Sequence, residues 1–336
     1  MFMKDKLLSI SIASYNTESF INDVVRSLVI DDKYMEKLEI IIINDGSKDR
    51  TSEMAHALER EYPYSIVVID KDNGGYGSTI NASLSVATGK YYKLLDGDDW
   101  YNTNKLVGFL DYLEKCDSDI VVTPYMEVRT DSKLIDNHKD IASVMVPIES
   151  LYLHNKFFAM HELAIKTSVL KKLGKEIAEH CFYTDSEFVF YCFVASNTIS
   201  RYNQPIYKYR LGVEGQSVSL QGIRKHYKDL LVVSNRIFEV YSDNMNEKYN
   251  TQKEIMDLCV KNITYHTFRA IMLMGNRKSY KMQLVEYDKR IKKDFPEVYI
   301  VGNRSKLVKI SRMLKFCCYS KMCSIVLKRF INENGE

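Results

Sequence analysis

Four times within its first hundred residues, this chain breaks a short apolar run with a polar or acidic cluster. Residues 7–13 lead into Ser14-Tyr15-Asn16, and residues 38–43 into Asn44-Asp45-Gly46-Ser47. Residues 66–69 lead into Asp70-Lys71-Asp72-Asn73, and residues 91–95 into Asp96-Gly97-Asp98-Asp99. Between the runs the apolar spacing is helical, as in Phe20, Ile21, Val24, Val25 and Leu28, and again over residues 52–58 and 80–87. Continuous runs rich in Ile and Val that alternate with amphipathic helices predict βαβ units around a parallel sheet buried on both faces. Such a sheet binds ligands just beyond the carboxyl ends of its strands, so the four clusters are expected to meet at one crevice.

The fourth cluster has the most chemistry. Asp96, Asp98 and Asp99 fall within four residues, and Gly97 permits a sharp turn between them. Ionised carboxylates this close repel one another unless a cation lies among them. Hard oxygen donors suit Mg²⁺ or Mn²⁺, ions that share their shell with substrate phosphates. An acidic surface turn accounts for this cluster alone, but not for four clusters in series.

Taken together, Ser11-Ile12-Ala13-Ser14-Tyr15-Asn16, Ile43-Asn44-Asp45-Gly46-Ser47, Asn73-Gly74-Gly75-Tyr76-Gly77 with Asn81, and Leu95-Asp96-Gly97-Asp98-Asp99 resemble glycosyltransferase family 2. The match in order and spacing covers about the first 100 residues and weakens towards residue 220. The resemblance implies a GT-A fold and an inverting transfer from a nucleoside-diphosphate sugar, most often a UDP-sugar, to a hydroxyl of a glycan or lipid-linked acceptor. It implies a nucleotide and sugar site at Ala13, Ser14, Tyr15, Asp45, Asn73, Gly74, Asn81, Asp96 and Gly97, with Asp45 hydrogen-bonding the base. Asp96 and Asp98 would hold the metal, with Asp98 the direct ligand. Ala13 stands where the family commonly has proline.

Inversion needs a base for the acceptor hydroxyl. By family position this is Asp185 in Phe182-Tyr183-Thr184-Asp185-Ser186-Glu187, where Thr184 replaces the usual Glu. Thr184-x-x-Glu187 also reads as a capping box for the helix that follows. His161, in a strand-like stretch, is expected to face the metal, the phosphates or the acceptor. Arg210 is a candidate partner for the diphosphate, and Gln216 lies in a loop resembling the one that follows the base.

The first 220 residues are therefore expected to form the transferase domain. Residues 1–100 would be its nucleotide-sugar half and 101–220 its acceptor half, with a helical region at 221–336. A net charge of +3 over 336 residues gives no ground for a nucleic-acid partner. No run approaches the roughly 20 apolar residues of a membrane span. The N-terminal residues do not read as a signal peptide. The seven cysteines show no CxxC or zinc spacing, which suits reduced thiols and a cytoplasmic chain. Residues 304–330 hold eight Lys and Arg with no acid among them, interleaved with apolar residues. This is the pattern of a basic amphipathic helix at an anionic membrane, which would place the chain on the inner face of the cell membrane. Two other readings of the same residues are a noncatalytic sugar-nucleotide-binding or scaffold subunit and a sugar-1-phosphate nucleotidyltransferase. The second normally shows a Gly-rich phosphate loop with a basic residue after its first strand, and Ser14-Tyr15-Asn16-Thr17 has neither.

Overall fold

The computed structural model describes residues 6–151, 157–212, 219–244 and 252–334. It divides into two compact units, Met1–Val213 and Glu214–Glu336.

In the first unit, the four predicted runs are strands β1 (Leu8–Ser14), β2 (Leu38–Asp45), β3 (Ile66–Lys71) and β4 (Tyr91–Asp96). The helices between them are α1 (Ile21–Arg26), α2 (Asp32–Met35), α3 (Thr51–Glu61) and α4 (Tyr76–Val86). After β4 come β5 (Trp100–Tyr101), α5 (Thr103–Lys115), β6 (Ile120–Val122), β7 (Tyr125–Val128), β8 (Ser132–Ile135) and β9 (Val146–Pro147). The unit ends with β10 (Leu163–Lys166), α6 (Thr167–Leu173), α7 (Thr184–Ala195), β11 (Thr198–Arg201) and β12 (Tyr207–Arg210).

Eight strands form the main sheet in the order β3-β2-β1-β4-β10-β6-β11-β9, and β5-β12-β7-β8 form a second, small sheet. β1 to β4 are mutually parallel, while β10 runs antiparallel to β4 and β6. Ile10, Ile12, Ile40, Ile41, Ile42 and Ile43 are fully buried. Both faces of β1 and β2 are thus covered, which explains their unbroken apolar runs. Chain order reverses between β1 and β4, whose ends place Ser14 and Asp96 on either side of the switch point where such sheets open a crevice.

Three local expectations change. Met160-His161-Glu162 is a turn of 3₁₀ helix leading into β10 rather than a strand. Thr184 and Glu187 form no capping box. The Thr184 hydroxyl is buried with no partner among the described residues, while Glu187 accepts the Ala178 amide at 3.0 Å and the Tyr191 hydroxyl at 2.8 Å. Gly97 does not need a left-handed backbone. It needs the absence of a side chain, because a Cβ there would lie 2.5 Å from the Ala13 carbonyl oxygen.

The second unit is helical: α8 (Leu220–Asn244), α9 (Lys253–Leu273), α10 (Lys278–Asp294), α11 (Pro296–Gly302), α12 (Lys306–Met313) and α13 (Tyr319–Asn334). α9 is its core helix, with Ile263, Phe268, Ile271 and Met272 buried and α8, α10, α11, α12 and α13 packed on it. The basic segment is therefore two helices joined by a turn. Lys315 and Phe316 in that turn have positive φ, so one continuous amphipathic helix is not what forms. No helix among the described residues is long and apolar enough to cross a membrane.

Candidate active site

The end of β2 builds a loop. The Asp45 carboxylate is buried and accepts the amides of Gly74 at 2.9 Å and Gly75 at 2.8 Å, the Lys71 ammonium at 2.9 Å and the Ser78 hydroxyl at 3.2 Å. Asn73 donates to the Asp45 carbonyl at 2.9 Å. The Asp45 carboxylate thus organises the Asn73-Gly74-Gly75 turn that starts α4.

That turn is fastened to the segment preceding Asp185. The Gly74 carbonyl accepts the His180 amide at 2.5 Å. Asn81, expected in the nucleotide and sugar site, has its amide in this join. It donates to the Ile177 carbonyl at 2.9 Å and to Glu179 at 3.1 Å, and accepts the Ile177 amide at 2.9 Å. Gly77 allows the contact, since a Cβ there would fall 1.9 Å from the Ala178 carbonyl oxygen. Hydrogen bonds thus run from β2 through the glycine turn to α7, whose first turn carries Asp185.

The acidic turn after β4 faces these elements. Burial raises the Asp96 carboxyl, and the charges of Asp98 and Asp185 push the same way. Asp185 is open to solvent on one side, yet the surrounding protein also raises its carboxyl above the usual aspartate range. Tyr209, on β12, feels all four carboxylates, Asp96, Asp99, Asp185 and Asp98. Asp99 is fully buried and accepts the Tyr207 hydroxyl at 2.6 Å and the Arg210 amide at 2.7 Å, which latches β12 to the turn. The Arg210 guanidinium lies over the Trp100 and Phe20 rings, 4.6 and 5.1 Å from their centroids, and its Nε donates to the Asp98 carbonyl at 2.8 Å. Its charge favours the ionised form of Asp98, against the upward push of burial.

Asp96, Asp99 and His161 bring one donor atom each to within 4.8 Å of one another. The expected metal-holding residues were Asp96 and Asp98; Asp96 belongs to this cluster together with Asp99 and His161. Two observations fit a hard cation here. The Asp96 Oδ1 and His161 Nδ1 atoms are buried without a hydrogen-bond partner among the described residues. Burial, with Lys93 nearby, also holds the His161 pKa down to about 3, so the ring is neutral and able to ligate. Tyr125, Tyr207 and Tyr209 pack around this ring at 5.3, 4.7 and 4.3 Å. Lys93 props it from inside the sheet, donating to the carbonyls of His161 at 2.6 Å and Leu163 at 3.1 Å. A lone lysine in the run Tyr91-Tyr92-Lys93-Leu94-Leu95 was the sequence signal for this prop.

Ala13 and Ser14 end β1 beside the acidic turn, with the Ser14 hydroxyl buried and unpaired among the described residues, and Tyr15 exposes its ring. Gln216 lies outside the described residues.

The family model named Glycosyl transferase family 2 matches residues 9–175. Through those residues the chain belongs to glycosyl transferase family 2. A glycosyltransferase of Rickettsia prowazekii, RP339, is 35% identical over 117 residues, which is 34% of this chain and 35% of that protein. The minor teichoic acid biosynthesis protein GgaB of Bacillus subtilis is 29% identical over 133 residues, 38% of this chain and 15% of that one. The alignments thus span about a third or less of these relatives. Among solved structures, S. aureus TarS 1–349 in complex with UDP-GlcNAc superposes with a TM-score of 0.63 at 16% identity, covering 92% of each chain. The mannosyltransferase PcManGT of Pyrobaculum calidifontis, in complex with GDP-Man and Mn2+, gives 0.52 at 11% identity over 96% of this chain and 87% of that one. The fold is GT-A, with a helical C-terminal region.

Proposed function

We propose that this chain is an inverting glycosyltransferase that moves a sugar from a nucleoside-diphosphate sugar to a hydroxyl of a glycan or lipid-linked acceptor in cell-surface polysaccharide synthesis. The observation that carries the reading is the cluster of Asp96, Asp99 and His161 at the end of β4, beside the switch point of the sheet. The UDP-GlcNAc bound by TarS favours a UDP-sugar as donor.

Ala13, Ser14, Tyr15, Asn73 and Gly74 would bound the nucleotide pocket, whose floor Asp45 keeps in shape. Asp185 takes the proton of the acceptor hydroxyl. The freed oxygen pair attacks the anomeric carbon from the face opposite the leaving group. The bond to the diphosphate breaks, and its electron pair leaves with the nucleoside diphosphate. Arg210 adds positive charge where negative charge accumulates. Asp96, with Asp98, Asp99 and His161, would hold a Mg²⁺ or Mn²⁺ ion, which when bound supplies charge neutralisation for the diphosphate.

The reading is tested by assaying transfer and hydrolysis with UDP-, GDP- and dTDP-sugars in Mg²⁺ or Mn²⁺. Turnover of one donor class is expected, whereas nucleotide binding without turnover would make the chain a binding subunit. A further expectation separates the acidic residues. Asp98→Ala should lower transfer at least about 100-fold, the scale of losing one charge-stabilising group at a transition state. It should also remove the metal dependence of nucleoside-diphosphate binding in calorimetry. Metal dependence that survives this change would assign the ion to Asp96, Asp99 and His161 without Asp98.

A further inference from the structure

The second unit carries a surface that the transfer chemistry does not use. Between Glu297 and Glu333 the sequence has no acidic residue and eight basic ones. Three of the eight are spent within the unit: Arg304 on Asp257 at 2.9 Å, Arg312 on Asp288 at 2.7 Å and Arg329 on Glu333 at 2.6 Å. Lys306, Lys309, Lys315, Lys321 and Lys328 are exposed and make no ion pair among the described residues.

The exposed residues share a pattern on both terminal helices. α12 turns outward Lys306, Lys309, Ile310 and Met313, at helical spacings of three, four and seven. α13 turns outward Lys321, Ser324, Ile325 and Lys328 at the same spacings. Met313 and Ile325 are 70% and 57% exposed, and Leu314 continues the apolar patch at the end of α12. Both helices pack on α9, and they touch each other where the Ser311 hydroxyl of α12 reaches the Met322 sulfur of α13 at 3.7 Å. Large aliphatic side chains held in water beside unpaired lysines call for a partner that is both anionic and apolar.

We propose that the α12–α13 face docks on an anionic membrane, its lysines against lipid phosphates and Ile310, Met313, Leu314 and Ile325 in the boundary between headgroups and acyl chains. A second copy of the same face would set lysines against lysines. A nucleic-acid backbone would offer the exposed aliphatic residues nothing to enter. The proposal does not depend on the catalytic reading, although it suits a lipid-linked acceptor.

Sedimentation of the full chain with vesicles tests it. Binding is expected to vesicles of phosphatidylcholine mixed with phosphatidylglycerol, not to phosphatidylcholine alone, and should weaken as salt rises. Lys306→Gln with Lys309→Gln should reduce partitioning about 25-fold, since each lysine near an anionic leaflet contributes about fivefold. Both lysines are exposed, so this variant should keep the wild-type circular dichroism. Indole emission of Met313→Trp, measured against the wild type with its single Trp100, should shift to the blue on anionic vesicles. The proposal is overturned by equal binding to neutral vesicles, by no binding at low salt, by an unshifted indole, or by partitioning unchanged in the double lysine variant. Self-association that Met313→Ser abolishes would overturn it too, making the face an interface between copies.

Discussion

Asp185→Asn is expected to lower kcat for glycosyl transfer by about 100- to 10,000-fold, the range spanned by general-base catalysis. The amide keeps the size of the carboxylate and its place in the first turn of α7, but cannot accept the acceptor's proton. Nucleotide binding, measured by calorimetry, should stay close to wild type, because the glycine turn is held by Asp45 rather than by Asp185. The pH profile adds a second readout. Desolvation raises the Asp185 carboxyl, so the base is protonated over more of the acid range than a free aspartate. kcat/KM should therefore fall, as pH is lowered, at a pH above the ordinary aspartate range, and Asp185→Asn should lose that limb. Near-wild-type transfer by the Asn variant would place the base elsewhere.

Arg312→Met is expected to cost about 3–5 kcal/mol, the penalty for leaving one partner of a buried ion pair alone. The Arg312 side chain is buried. Its Nε donates to Asp288 at 2.7 Å, and its Nη1 to the Tyr299 carbonyl at 2.6 Å and to Asn303 at 3.0 Å. The guanidinium also lies 3.7 Å from the centre of the Tyr299 ring. One residue thus joins α10, α11 and α12. Thermal unfolding of the second unit should shift strongly downward, and adding Asp288→Leu should recover much of the loss, because an apolar pair leaves no buried charge unpaired. Equal instability of the single and double variants would mean that the carbonyl and ring contacts, not the ion pair, carry the effect.

How much of this was legible beforehand depended on the range of the interactions. β1, β2 and β4 could be read because strands buried on both faces must be continuously apolar, a local property. Their polar ends converge because parallel strands share a direction. The hydrogen bonds of Asp45 and Asn81 could not be read, since each is set by partners far along the chain; Asn81 meets Ile177 across 96 residues. Thr184-x-x-Glu187 misled for a local reason, as Glu187 found the nearby Ala178 amide and Tyr191 hydroxyl instead of the helix end. β5 and β7, of two and four residues, are too short to show a period, so the small sheet that delivers Tyr207, Tyr209 and Arg210 stayed hidden. The eight-residue basic pattern was visible, but which of its charges are consumed by Asp257, Asp288 and Glu333 became clear only in three dimensions.

The crowding of Asp96, Asp98, Asp99 and Asp185 has a consequence for the lifetime of the fold. Carboxyls whose pKa rises on folding bind more protons in the folded chain than in the unfolded one. Their contribution to stability therefore falls as pH climbs from the ordinary aspartate range through the raised values. At neutral pH the ionised forms of these carboxyls are opposed first by their burial, and a cationic or metal-bearing ligand that offsets this cost binds the folded state in preference to the unfolded one. By mass action, such a ligand lowers the unfolded population in proportion to its own concentration. Persistence of the chain in the presence of proteases is in this way tied to the supply of what it binds.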